Sequence, residues 1–168
     1  LFLKHGADIN AKGKDDMTAL LIAANNNQTA IVEILAPKVF NIDEVDNYQK
    51  TALMYGAHHQ NQKIMQILLE HGANINAKDK NGRSALMSSV TNINSRDATE
   101  FLLNNGADIE MRDNAGMTTL QRAVRNRDRI TAELLLKKGA NKQTRDNDGM
   151  TPLMHASKNV WMLARDAQ

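Results

Sequence analysis

Cysteine is absent from the 168 residues, which excludes a disulfide framework and any thiolate metal site and permits a reducing compartment. Aromatic residues make up only 4%; spread as Phe2, Phe40, Tyr48, Tyr55, Phe101 and Trp161, they form no stacking platform for nucleic-acid bases. No apolar run approaches the roughly eighteen residues a membrane span needs, and no basic-then-apolar signal segment opens the chain. The formal charge is +2, too small a surplus to call for a nucleic-acid partner. A glycine-rich phosphate loop, a Gly-x-Ser-x-Gly elbow and a His-Glu-x-x-His helix are all missing, so no catalytic residue is assigned and no cofactor is expected. Asp15-Asp16 and Asp43-Glu44 read as solvated charge in turns. His58 and His59 are adjacent and cannot face a common metal ion from one helix, so no metal site is expected either.

What the chain does have is repetition. Asp146-Asn147-Asp148-Gly149-Met150-Thr151-Pro152-Leu153 joins a turn, with a glycine able to take positive φ, to a helix start where Thr151 can cap and Pro152 fills the first helical position. The opening hydroxyl recurs as Thr18, Thr51, Ser84, Thr118 and Thr151, in steps of 33, 33, 34 and 33 residues. A leucine follows two residues later each time, at Leu20, Leu53, Leu86, Leu120 and Leu153. Gly-Ala closes units at Gly6-Ala7, Gly72-Ala73, Gly106-Ala107 and Gly139-Ala140.

In period and residue types the sequence resembles the ankyrin repeat, a turn plus two antiparallel helices, over nearly its whole length. The resemblance implies an all-α solenoid of stacked helix-turn-helix units with hairpin loops, each unit touching only its neighbours. A hydrophobic content of 42% supplied by leucine, isoleucine, methionine and alanine is enough for the thin layers between such helices. Departures from the family pattern are specific. Only the last unit keeps the proline, and the histidine of the signature is replaced by Leu21, Met54, Met87, Gln121 and Met154. The polar tie from hydroxyl to histidine is therefore expected to be absent.

Taken in order, residues 1–12 read as the closing half of a unit, which points to a piece of a longer protein. Full units follow at 13–45, 46–78, 79–112 and 113–145, and 146–168 is a truncated or capping unit. In the first full unit Ile31, Val32, Ile34 and Leu35 are expected inside and Pro37 ends the second helix. Val39-Phe40 replaces the Gly-Ala exit there, so the exit loop is expected to be altered. The extra residue of the 34-residue step falls within 91–96, where a longer turn can loop into solvent. Trp161, Met162 and Leu163 are expected to cover the last full unit. Leu135 is assigned to an inter-unit layer. Charge is polarised: unit 113–145 carries eight Lys and Arg against three acids, whereas 13–45 carries two against five. An exposed charged face is preferred to a nucleic-acid site as the reading of the basic unit. His5 and His71 are expected to meet the last carbonyls of second helices, and His155 to take part in packing.

By the resemblance, the chain is a protein-protein interaction module without catalysis. It would bind a partner protein through the concave face formed by turn tips and first helices. The alternative is the targeting or regulatory segment of a larger enzyme or effector. Carried onto this chain, the partner-binding positions are Lys14, Met17, Tyr48, Lys50, His58, His59, Lys80, Arg83, Met117, Arg125, Met150 and Lys158, with Asn25, Asn47, Asn81, Thr91, Asn92, Asn114, Asn147 and Asn159 along the same strip. Met17, Met117 and Met150 stand on the turn just before the hydroxyl, where flexible thioethers suit an adaptable contact surface. Tyr48 and Arg83 are the expected anchors, because aromatic and arginine side chains dominate interface energetics. Five units stacked about 8–10 Å apart give a strip on the order of 50 Å, enough for a standard interface of roughly 800 Å² per partner. A monomeric domain, no insertion in a membrane and an intracellular, cytoplasmic setting complete the expectation.

Overall fold

The computed structural model of the chain describes residues 2–90 and 95–158. The expected cover from Trp161, Met162 and Leu163, the longer turn at 91–94, and the strip residues Thr91, Asn92 and Asn159 lie outside those residues.

Each repeated hydroxyl opens a helix. The inner row is α1 (Ala19–Asn25), α3 (Ala52–His58), α5 (Ala85–Ser89), α7 (Thr119–Arg125) and α9 (Pro152–Ser157). The outer row is α2 (Thr29–Leu35), α4 (Gln62–Glu70), α6 (Arg96–Asn104) and α8 (Arg129–Lys137). Thr18, Thr51, Ser84, Thr118 and Thr151 all accept a hydrogen bond from the backbone N–H three residues on, at 3.3 to 3.5 Å. A cap of this kind is worth about 1 kcal/mol, a large gain for a helix of five to seven residues that could not persist alone. Left-handed Asn27, Gln60 and Arg127, at φ 57, 60 and 62°, reverse the chain between paired helices.

Helices stack like on like: α1 on α3, α3 on α5, α5 on α7 and α7 on α9 in the inner row, with α2, α4, α6 and α8 following outside. The leucine after each hydroxyl is the layer residue; Leu20, Leu53, Leu86 and Leu120 are all at most 2% exposed. Leu153 in the same register is 66% exposed, α9 being the last described helix. Leu135 is fully buried, as its assigned register requires. The outer helices bury only one stripe, however. Val32 and Leu35 are inside, but Ile31 and Ile34 face solvent, as do Ile130 and Leu136. A helix of seven to nine residues presents one face to the stack, and apolar residues just off that face point outward.

The exit of the first full unit departs as its sequence implies, though not by crowding. α2 ends before Pro37, and Ala36–Lys38 continues as a 3-10 turn. Phe40 avoids the alanine slot and is almost fully exposed, while Ala73, Ala107 and Ala140 fill the corresponding slots elsewhere. The core is also not uniformly apolar. Buried polar groups lie within and beside the units of α5–α6 and α7–α8. Ser89 Oγ and Thr99 Oγ1 are 2.8 Å apart, the Ser95 N–H donates to Asp128 Oδ2 at 3.2 Å, and Gln121 is fully buried.

Gln121 corrects an expectation. Its Oε1 accepts from the Thr118 N–H at 2.9 Å and the hydroxyl at 3.3 Å, completing a capping box. Its Nε2 donates to Met150 O of the next unit at 2.7 Å and to Thr144 O at its own unit's exit at 3.3 Å. The polar tie is thus present in one unit, because a carboxamide, like an imidazole, holds a donor and an acceptor on one short side chain.

Candidate functional site

The turns that precede the inner helices are built on aspartates in a common register: Asp46, Asp79, Asp113 and Asp146, all buried. In each, Oδ1 accepts from the backbone N–H groups two and four residues on, at 2.8 to 3.1 Å. The turn backbone closes on itself as well, from Asp46 N to Lys50 O at 3.2 Å and from Asp79 N to Arg83 O at 2.9 Å. Adjacent tips are then linked by one backbone hydrogen bond each: Asn47 N to Asp15 O, Lys80 N to Tyr48 O, Asn114 N to Asn81 O and Asn147 N to Ala115 O, at 2.9 to 3.0 Å. Gly82 and Gly116, both at φ 74°, sit where this ladder passes closest, and a Cβ on either would lie 2.9 Å from the next tip's backbone nitrogen. The tips therefore form a continuous ledge of fixed geometry, with the inner helices beside it.

Along that ledge Lys14, Tyr48, Lys80 and Lys158 are exposed, Tyr48 by 58%. His58 is exposed and His59 half-buried, their rings edge to face at 5.3 Å, with His59 Nε2 2.7 Å from Asn25 O. Burial, with His59 and Lys50 acting in the same sense, lowers the His58 pKa from its ordinary value. Arg125 is exposed, and its Nη1 lies 3.6 Å from Met117 Sδ. The side-chain amides of Asn47, Asn114 and Asn147 are turned along the ledge to Asp15, Lys80 and Asn114, holding the tips together.

The methionine expectation needs correction. Met117 is 3% exposed and Met17 and Met150 are half-buried. The turn closes over its own last residue, whose N–H is held by the buried aspartate, so the thioether is drawn under the ledge; Met117 offers no free contact surface. His155 is likewise more than packing, its Nε2 lying 2.6 Å from Asp146 Oδ2. His71 meets Ile67 O at 2.8 Å, the helix-end contact expected of it.

Lys50, His58 and Arg83 are brought together around a hollow of about 230 Å³, which Asn25 also lines. Its other walls were not singled out in the sequence: Tyr55, Asp79 and Arg122, with Met54 and Met87. Tyr55 donates to Asp46 Oδ2 at 2.6 Å, and burial together with that bond pushes its phenol well above the ordinary value. Arg122 Nη1 donates to Asp113 Oδ2 at 2.8 Å. Burial, with Arg83 pushing the same way, lowers the Arg122 guanidinium from its usual value against the pull of Asp113. The Nε–H groups of Arg83 and Arg122 are buried without a hydrogen-bond partner among the described residues. A signal for these residues was present. The residue four places after each opening hydroxyl changes chemical type from unit to unit, reading Ile22, Tyr55, Ser88, Arg122 and His155.

The basic unit is also partly neutralised. Arg122 is paired with Asp113, Arg129 Nε lies 2.5 Å from Glu133, and Lys138 Nζ lies 3.8 Å from Glu100 of the preceding unit.

A row of capped inner helices, a ledge of linked turns and an outer helical layer define a helical repeat solenoid. A family model described as ankyrin repeats (3 copies) matches residues 1–79 and 86–164. The chain belongs to the ankyrin repeat family, whose members are generally protein-protein interaction modules rather than catalysts. Among curated proteins no match is found. No helix among the described residues is long and apolar enough to cross a membrane.

Proposed function

We propose that this chain binds a partner protein through the face formed by the turn ledge and the inner helices, around the hollow that Lys50, His58 and Arg83 share. The observation that carries the reading is the contrast between backbone and side chains on that face. The backbone is held by repeated aspartates and tip-to-tip hydrogen bonds, while exposed Tyr48, Lys80 and His58 project from it. A rigid scaffold presenting mixed aromatic and cationic groups loses little entropy on binding. The reading assigns the chain no chemistry of its own, since the carboxylates on this face serve as acceptors for backbone N–H groups. Peptide display against the chain, repeated on a Tyr48→Ala, Arg83→Ala variant, tests it. At least a tenfold loss of retained peptides is expected; equal retention by a folded variant would discredit this face.

A further inference from the structure

Three of the four turn aspartates are closed by a side chain nine residues further on: Tyr55 on Asp46 at 2.6 Å, Arg122 on Asp113 at 2.8 Å and His155 on Asp146 at 2.6 Å. The remaining one, Asp79, is not. Its counterpart is Ser88, too short to reach, and the Ser88 hydroxyl turns back to Ser84 O at 3.0 Å. Asp79 Oδ1 is engaged by the Asn81 and Arg83 N–H groups, whereas Oδ2 has no partner among the described residues. The hollow opens where the longer side chain stands in the sister units, with Asp79 and Ser88 both on its wall.

The unit before shows the completed arrangement. There the Tyr55 hydroxyl donates to Asp46, and Lys50 Nζ stands 5.4 Å from the centre of the Tyr55 ring. One repeat later Asp79 replaces Asp46, Arg83 replaces Lys50 and Ser88 replaces Tyr55. The acceptor and the cation are retained; the ring is not. Met54 and Met87 line the space a ring would fill, and methionine packs well against aromatic rings. A cationic side chain would be repelled by Lys50, Arg83 and Arg122, and a carboxylate, though drawn by those cations, would give Asp79 no donor. A phenol avoids both conflicts: it donates to Asp79, accepts from a guanidinium and offers its face to a cation. At about 230 Å³ the hollow is smaller than the roughly 300–1,000 Å³ of pockets that hold a drug-sized molecule, and matches a single side chain.

We propose that the hollow over Asp79 is a socket for one tyrosine side chain of the partner polypeptide, seated as Tyr55 is seated on Asp46. The proposal rests on the protein-binding reading and deepens it by naming the chemistry of the anchor.

The Asn81 and Arg83 amides, both bonded to Asp79 at 2.8 Å, are the reporters in ¹H–¹⁵N spectra of the chain titrated with N-acetyltyrosinamide. Their signals are expected to shift at concentrations at least tenfold lower than N-acetylphenylalaninamide requires. Ser88→Tyr, which fills the socket from within, is expected to abolish the response, and Ser88→Ala to keep it. Should Ser88→Tyr fail to fold, Ser88→His takes its place, closing Asp79 as His155 closes Asp146. An equal response to the phenylalanine compound, a stronger one to acetate, or persistence of the response in the filled variant overturns the proposal. So does self-association that Tyr48→Ala removes, which would assign the socket to a second copy. Display peptides that depend on Tyr48 but carry no tyrosine and ignore Ser88→Tyr would sink the socket while leaving the broader binding reading intact. A response to the tyrosine probe with no peptide retained would remove the partner polypeptide, and with it both readings.

Discussion

Replacing Gln121 by methionine, the residue its sister positions carry at Met54, Met87 and Met154, isolates the value of the buried carboxamide tie from α7 to the next turn. The side chain is fully buried and joins the Thr118 N–H to Thr144 O and Met150 O. Methionine has nearly the same length and fits this position in two other units, where Met54 and Met87 are at most 2% exposed, so a void is not the issue. The Thr118 N–H would be left buried without its acceptor, at about 1–3 kcal/mol. Met150 O would keep its bond from the Asp146 N–H, limiting that loss to about 1 kcal/mol. Burying a thioether instead of an amide returns roughly 1 kcal/mol. The net expectation is a loss of about 1–3 kcal/mol in urea denaturation. Gln121→His, which can donate and accept in the same way, should stay within about 1 kcal/mol of the parent. Because the tie spans two units, amide exchange in α9 should accelerate in Gln121→Met well before exchange in α1 does. A methionine variant as stable as the parent, or one that loosens α1 as much as α9, would refute this account.

Leu135→Ala should lower stability by about 2–5 kcal/mol in the same denaturation assay, since the residue is fully buried in one cluster with Leu120, Ala123, Val124 and Ala156 of the inner row. Gly56→Ala is expected to destabilise by about 1 kcal/mol, although alanine is the better helix former: its Cβ would lie 2.8 Å from Ile64 Cγ2, on a stiff β-branched side chain. A stabilised Gly56→Ala protein would show that α4 yields freely. The Tyr55 pKa is raised on folding, so the stability it contributes is complete below its unfolded value of 10.0 and is lost as pH rises above it. Tyr55→Phe should therefore flatten the alkaline limb of stability against pH, as read from thermal midpoints between pH 9 and 11. Burial raises the Asp146 carboxyl, but the His155 bond and the Met150 and Asp148 N–H groups outweigh it, leaving the net shift downward. That contribution is present above pH 3.8 and fades as pH falls through the lower folded value. The stability gap between the parent and Asp146→Asn should accordingly narrow as pH falls below 3.8.

The architecture was legible because it is local chemistry repeated. A hydroxyl cap, a leucine two residues on and a turn glycine are each decided within one turn of chain, and five copies at a fixed interval leave only stacking as the way to bury the leucines. Tyr48 and Lys80 lie on the tips, where a turn residue must lie. Which apolar residues fall off the buried stripe was harder to read: Ile31 and Ile34 look no different from Val32 and Leu35 until the helix axis is set by its neighbours. Met117 was misread for a related reason, since the turn's fold over its own last residue depends on the aspartate four places earlier. Gln121 was read as a missing histidine, although its amide can form the same bonds.

The sequence by itself determined the period, the caps, the turns and hence the stacked helical family, because those depend on residues within reach of one another along the chain. Only the tertiary structure decided that Lys50, Tyr55, Asp79, Arg83 and Arg122, drawn from three successive units, line one hollow, and that Asp79 alone among its sisters keeps an open carboxylate oxygen. Those relations run across the stack, at right angles to the chain, and depend on how far each side chain reaches toward the next unit.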